Sequence, residues 1–235
     1  MAQALLHKPT RSKIAPALSR HKFFCLFVYL LLALVVYPYI KEGSLGYFVF
    51  RVIGGFGILL TVYAISLRRT LLILGILLAI PAVLQRVLLI RANAGSLSML
   101  ALVLSFTFDA FVVVMIFRRV FTEHPPTSES IFGALCIYLL VGFSFASVYH
   151  MINTLSPRAF YLDPLTNMHT IPDRFDFVYY SFATITSVGA VGVVAVSAEA
   201  RSVAVIEAIL GVLYLAVLIA RLISAYRYPS ALGRE

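Results

Sequence analysis

The chain has 235 residues, of which 61% are hydrophobic and 12% are charged, and its formal net charge is +9 at pH 7. Ordinary globular chains carry about 45–50% apolar and about 25% charged residues, so this composition excludes a water-soluble enzyme. The basic residues lie in short clusters between apolar segments and are not gathered on one solvated face, which argues against a nucleic-acid partner. We therefore expect a membrane protein that is not an enzyme.

Six apolar segments account for most of the hydrophobic residues. They cover residues 23–40, 47–67, 71–90, 97–117, 131–152 and 202–223. Each is close to the ~20 residues that a helix needs to cross ~30 Å of hydrocarbon, and the short connections predict one packed bundle. Basic clusters at 1–22, 68–69 and 118–119 place both termini in the cytoplasm by the positive-inside rule.

The fourth segment tests whether the first four helices form a voltage sensor. Such a sensor needs basic residues at every third position, whereas 97–117 contains none and its sole ionisable residue is Asp109. Residues 23–119 are therefore predicted to form a four-helix bundle that is not an arginine-rich sensor. Asp109 is a candidate buried charge, paired with Arg86 or Arg51, or alternatively a structural hydrogen-bonded carboxylate.

The stretch between the fifth and sixth segments breaks the spanning pattern. Asp173 follows a proline and can cap a helix together with Asp176, and about twelve aromatic and small residues follow. A helix of roughly 18 Å is too short to span, so it is tolerated in a membrane only inside protein or beside water. Its carboxyl end would favour a cation, and the backbone beyond it could line a pore. The alternative is a re-entrant loop that plugs the bundle.

Two stretches in this region carry a family resemblance. YSFATITSVG at 180–189 and LYLAVLIARL at 213–222 resemble the pore domain of the prokaryotic potassium channel family. Together with the preceding apolar segments, we expect an all-α membrane fold with six transmembrane helices and a re-entrant pore helix. The resemblance covers about 130–226, not the first four helices, and implies an outer helix, a pore helix, a filter and an inner helix. It also implies a homotetramer surrounded by lipid in a bacterial or archaeal plasma membrane, with a pore domain at 127–226 and a short cytoplasmic tail at 227–235.

The selectivity filter is where the chain departs from that family. The family filter reads Thr-Val-Gly-Tyr-Gly-Asp, and without a gap it falls, after Thr186, on Ser187, Val188, Gly189, Ala190, Val191 and Gly192. The aromatic residue, the second glycine and the acid are lost, and Ala195 stands where the family has a proline. A valine at the second glycine predicts left-handed strain of about 1–2 kcal/mol per subunit. These losses weaken the case for potassium selectivity.

Two functions remain open from the sequence. The first is a potassium-channel-like cation channel for passive flux, which needs no cofactor and whose permeant monovalent cation would be K⁺. The second is a non-conducting structural or modulatory channel-like subunit. The altered filter fits a relative with another selectivity, a degenerate paralogue or a deliberate alteration.

The remaining candidates lie around the pore loop and in the sixth segment. Gly211 is either a gating hinge or a packing glycine. Three charged residues are expected to brace the pore loop by ion pairing: Glu199, Arg201 and Glu207. No metal site is predicted, because no ligand spacing recurs among His150, His169, Asp163 and Asp173. Cys25 and Cys136 lie in apolar segments and are interpreted as small buried hydrophobic residues.

Overall fold

The computed structural model describes residues 21–39, 95–122, 127–167 and 169–227. In chain order the elements are α1 (Lys22–Val36), a 3₁₀ turn (Tyr37–Tyr39), α2 (Gly95–Thr122), α3 (Ser128–Leu155), β1 (Phe160–Leu162), α4 (Arg174–Ile185), β2 (Val193–Ala195) and α5 (Ala198–Arg227). Helices therefore occupy the first, fourth, fifth and sixth predicted segments. The predicted segments 47–67 and 71–90 lie outside the described residues.

Three helical stretches in the described part of the chain are long and apolar enough to cross a membrane. They are Lys22–Tyr39, Ser128–Leu155 and Ala198–Ser224. α3 begins before its apolar segment because Thr127 and Ser130 form a capping box, in which each side chain accepts from the other residue's backbone N–H. The chain is a membrane protein with a mostly helical fold.

α3 is the central helix, and it packs against α1, α2 and α4. Leu26 of α1, Ile116 of α2 and Ile137 of α3 share one buried core. At one end of this core the Glu129 carboxylate accepts a hydrogen bond from the backbone N–H of Phe23 at 3.0 Å. The guanidinium of Arg119 also lies 5.0 Å from the centre of the Phe23 ring.

A two-stranded antiparallel sheet follows α3. β1 and β2 pair in the register Phe160 with Ala195 and Leu162 with Val193. Phe160 packs its ring edge-to-face against Phe177 and Tyr180 of α4, which gives this end of the molecule its own aromatic core. The sheet joins the loop after α3 to the segment before α5. Neither strand is predicted from the sequence, because three-residue strands carry too little alternation to be recognised.

Candidate functional site

The short helix α4 begins and ends where the sequence predicts. The Asp173 carboxylate accepts from the backbone N–H of Phe175 at 2.7 Å and of Asp176 at 2.9 Å. The Asp176 carboxylate accepts from the backbone N–H of Asp173 at 2.7 Å, which completes the capping box. The helix has 12 residues, so it is a half-helix that enters the domain core and stops.

His169 extends this cap. Its Nε2 lies 2.8 Å from the Asp176 carboxylate, and that hydrogen bond, aided by the charges of Asp176 and Asp173, raises the pKa of His169 above its usual value. The ligand atoms of these three residues lie within 4.8 Å of one another. Both carboxylates already accept backbone N–H groups at the positive end of a helix dipole, which disfavours a cation there. We assign the cluster to helix capping. Two of its residues, His169 and Asp173, are among the four possible metal ligands considered in the sequence.

The cap on α4 is expected to weaken as the pH rises. Protonated His169 stabilises the folded state fully below about pH 6.5, the ordinary histidine pKa, and this contribution is lost as the pH rises through the raised folded pKa. An NMR titration of the His169 ring should therefore give a midpoint above 6.5, and Asp176→Asn, which retains an acceptor without the charge, should lower it. A midpoint at or below 6.5 in the parent chain would contradict this pairing.

The carboxyl end of α4 is closed by a Schellman motif. The backbone N–H of Val188 donates to the carbonyl of Ala183 at 3.0 Å, and that of Ser187 donates to Thr184 at 2.9 Å. Ser187 occupies the left-handed position of the motif, with φ of 59°. The first residues of the predicted filter therefore form a helix-terminating turn, with their N–H groups directed back to α4.

One prediction for the filter, residues 187–192, is wrong. Val191 is not in the left-handed region, so the strain predicted for it is wrong; Gly189 and Gly192 take that conformation instead, each with φ of +85°. The N–H of Val191 donates to the Tyr179 hydroxyl at 3.1 Å, and Ala190 packs against the aromatic core. The left-handed conformation therefore lies at Gly192, one residue after the position of the family's second glycine. Val191 carries no left-handed strain.

Gly192 is held by the turn after β1. Its carbonyl accepts from the Asn167 side-chain amide at 2.9 Å and from the backbone N–H of Asp163 at 2.9 Å. A Cβ at Gly192 would lie 2.3 Å from Thr166 Oγ1 and 2.8 Å from Asn167 Nδ2. The turn after β1 therefore anchors the end of the predicted filter at Gly192. Asn167 and Tyr179 were not identified from the sequence, because nothing in their spacing marks them.

Two layers of contacts tie α4 to α3 and α5, one helical turn apart. In the first, the Tyr138 hydroxyl donates to the Ile185 carbonyl at 3.0 Å, and Gly211 approaches so closely that a Cβ would lie 2.3 Å from that same oxygen. In the second, Ser181 Oγ lies within hydrogen-bond distance of the Gly142 carbonyl and of Glu207. Gly211 therefore lies where α5 packs closely against α4.

Two of the three residues expected to brace the pore loop, Glu207 and Arg201, make hydrogen bonds where ion pairs were expected. Glu207 is fully buried and accepts from the Tyr149 hydroxyl, and Arg201 Nε donates to the Ala195 carbonyl at 3.0 Å. Glu199 is exposed at the start of α5. Within the part of the chain that the structure describes, none of the three forms an ion pair. The expected ion pairing of these residues is therefore wrong for the described part of the chain.

The arrangement from α3 to α5 is two long apolar helices that enclose a capped half-helix and a turn. Residues 133–228 match the family model described as "Ion channel". The matched segment runs from α3 to α5 and is called the channel domain below. The match agrees with the potassium-channel-like pore domain inferred from the sequence. The matched family consists of transport proteins. No curated protein and no solved structure matches the chain.

The other residues singled out from the sequence lie within the channel domain or before it. Thr186 is the C-cap residue of α4, and its hydroxyl donates to the Phe182 carbonyl at 2.6 Å. Asp109 is half-buried on α2, whereas its predicted partners Arg51 and Arg86 lie outside the described residues. Cys136 is buried and Cys25 is half-buried.

Proposed function

We propose that four copies of the chain form a potassium-channel-like pore for the passive flux of monovalent cations, with weak discrimination between K⁺ and Na⁺. The observation that carries the proposal is the capped half-helix α4, which ends in a filter-like turn inside an ion channel domain. The negative end of its dipole is directed along the chain toward Ser187 and favours a cation beyond the turn.

Exposure of apolar side chains supports assembly from several copies. Val188 and Val191 of the filter are 81% and 72% exposed in the single chain, and Val205, Ile209 and Val212 of α5 are more than half exposed. Lipid can cover part of α5, but irregular backbone at membrane depth, such as the proposed filter, needs protein or a water-filled pathway around it. Channel domains of this family are typically oligomeric, and copies around one axis provide both.

The backbone of the filter supports weak selectivity. Selection of dehydrated K⁺ relies on successive carbonyls that face one axis. Here the N–H groups of Ser187, Val188 and Gly189 are committed to the end of α4, and the Gly192 carbonyl is committed to Asp163 and Asn167. A filter with one carbonyl already bound to protein has fewer oxygens free to replace the hydration shell.

Flux from proteoliposomes tests the proposal. We expect K⁺ and Na⁺ to leave under their own gradients at rates that differ by less than about tenfold, equivalent to about 1.4 kcal/mol. The absence of flux of either ion from a well-assembled oligomer would favour the non-conducting structural or modulatory subunit instead.

Val188→Cys separates flux through this pathway from leakage. A positively charged thiol reagent should stop flux through the variant, because the new thiol replaces a side chain that is 81% exposed in the filter turn. The parent chain is the matched control, since its native Cys25 and Cys136 lie on α1 and α3. Equal insensitivity of both chains, with flux intact, would remove Val188 from the ion pathway.

A further inference from the structure

The buried carboxyl of Glu207 joins three helices of the channel domain. Glu207 belongs to α5 and is fully buried. Its Oε2 lies 2.5 Å from the hydroxyl of Tyr149 on α3, and its Oε1 lies 2.5 Å from Ser181 Oγ on α4. Both hydroxyl-bearing residues are themselves fully buried. The contact network therefore has no access to water in the single chain, and its protons can be counted.

Ser181 has one hydroxyl proton and two close oxygen neighbours. Its Oγ lies 2.7 Å from the Gly142 carbonyl oxygen and 2.5 Å from Glu207 Oε1. A carbonyl oxygen can only accept, so the contact with Gly142 uses the proton of Ser181. The contact with Glu207 then requires a proton from the carboxyl group, since two oxygens at this separation without a proton between them would repel.

We propose that Glu207 is a neutral carboxylic acid that positions the pore helix, donating from Oε1 to Ser181 and accepting at Oε2 from Tyr149. In this arrangement three protons serve three short contacts, and every oxygen has a partner. An ionised carboxylate would leave the contact between Ser181 and Gly142 without a proton.

Burial supports the same protonation state. A charge without a compensating partner in a low-dielectric interior carries a large desolvation cost, and a buried carboxyl usually takes its neutral form. In the described residues, no Lys, Arg or His forms an ion pair with Glu207. Arg201, which lies on the same helix, directs its Nε to the Ala195 carbonyl.

The position of the network explains what a neutral acid contributes. Glu207 and Gly211 are four residues apart on α5, and their partners Ser181 and Ile185 are four apart on α4, so the two helices meet in register. Ser181 is six residues before Ser187. A hydrogen-bonded acid at this point fixes α4 against α5 without placing a charge beside the pathway proposed for cations.

Infrared spectroscopy of the assembled protein tests the proposal without reference to flux. At neutral pH the difference spectrum between the parent and Glu207→Gln should contain the carbonyl stretch of a protonated carboxylic acid. Ser181→Ala should shift that stretch, because the acid loses its acceptor. A difference spectrum that contains only carboxylate stretches would overturn the proposal.

Thermal unfolding of Glu207→Gln gives an independent readout. A glutamine amide can donate to Ser181 and accept from Tyr149, which reproduces the donor and acceptor pattern of the neutral acid. We expect Glu207→Gln to fold with the parent's midpoint and Glu207→Leu to lose stability. Misfolding of Glu207→Gln would contradict the proposal. Tyr149→Phe removes the donor to Oε2 but keeps the acid, so the folded variant should still show the infrared stretch of the protonated acid.

Discussion

Gly211→Ala is expected to destabilise the channel domain by roughly 3 kcal/mol or more per subunit. The added methyl would lie 2.3 Å from the Ile185 carbonyl oxygen, which is the backbone of the pore helix and not a movable side chain. The Tyr138 hydroxyl already donates a hydrogen bond to that oxygen. α5 and α4 would have to separate, and the midpoint of thermal unfolding in detergent should fall steeply.

Gly142→Ala is the matched control for Gly211→Ala. Both substitutions replace a buried helical glycine and gain about 1 kcal/mol of helix propensity. At Gly142, however, the three atoms nearest the new methyl all belong to the Phe182 ring, at 2.9–3.2 Å. A side-chain ring can shift, so we expect a change within about 1 kcal/mol. If Gly211→Ala instead unfolded like the parent and altered only the opening of the pore, Gly211 would be a gating hinge.

Gly192→Ala is expected to detach residue 192, at the end of the predicted filter, from the turn after β1. Alanine at φ of +85° is strained by about 1–2 kcal/mol, and its methyl would overlap Thr166 Oγ1, which adds roughly 1–3 kcal/mol. The hydrogen bond from Asn167 to the Gly192 carbonyl should then be lost. We expect a lower unfolding midpoint and faster amide hydrogen exchange in β1 and β2.

Gly189→Ala separates the two causes. Gly189 has the same φ of +85°, but in the single chain nothing lies within 4 Å of the place that an added methyl would take. The strain should therefore appear alone, with a smaller loss of stability and no change in β1 exchange. Equal effects of the two substitutions would mean that Thr166 and Asn167 do not hold Gly192. The same overlap implies that an acid at 192, as in the family filter, requires the turn to rearrange.

Local signals accounted for the helices and for the half-helix. Apolar runs of about twenty residues and the pair Asp173 and Asp176 are sufficient to predict α3, α4 and α5, because spanning length and capping depend on residues close in sequence. The chemistry of Glu207 could not be predicted in the same way. Its partners Tyr149 and Ser181 are 58 and 26 residues away, and nothing in the sequence says that α5 presents this residue to both.

The filter shows a different limit. A gapless comparison assigned the family's second glycine to Val191 and predicted strain there. The backbone instead places the left-handed conformation at Gly192, where Asp163 and Asn167 can bind the carbonyl. Residue matching compares side chains position by position, whereas the path of the backbone also depends on a turn some 25 residues earlier in the chain.

The hydrogen bond between Phe23 and Glu129 has a consequence for biosynthesis. The N–H group at the start of α1 finds its carboxylate acceptor 106 residues later, at the start of α3. A ribosome makes the chain from its amino terminus, so α1 is complete before Glu129 is synthesised. Until then the N–H group of Phe23 must bind water or a lipid headgroup. The final placement of α1 therefore follows the insertion of α3, although Phe23 is synthesised 106 residues before Glu129.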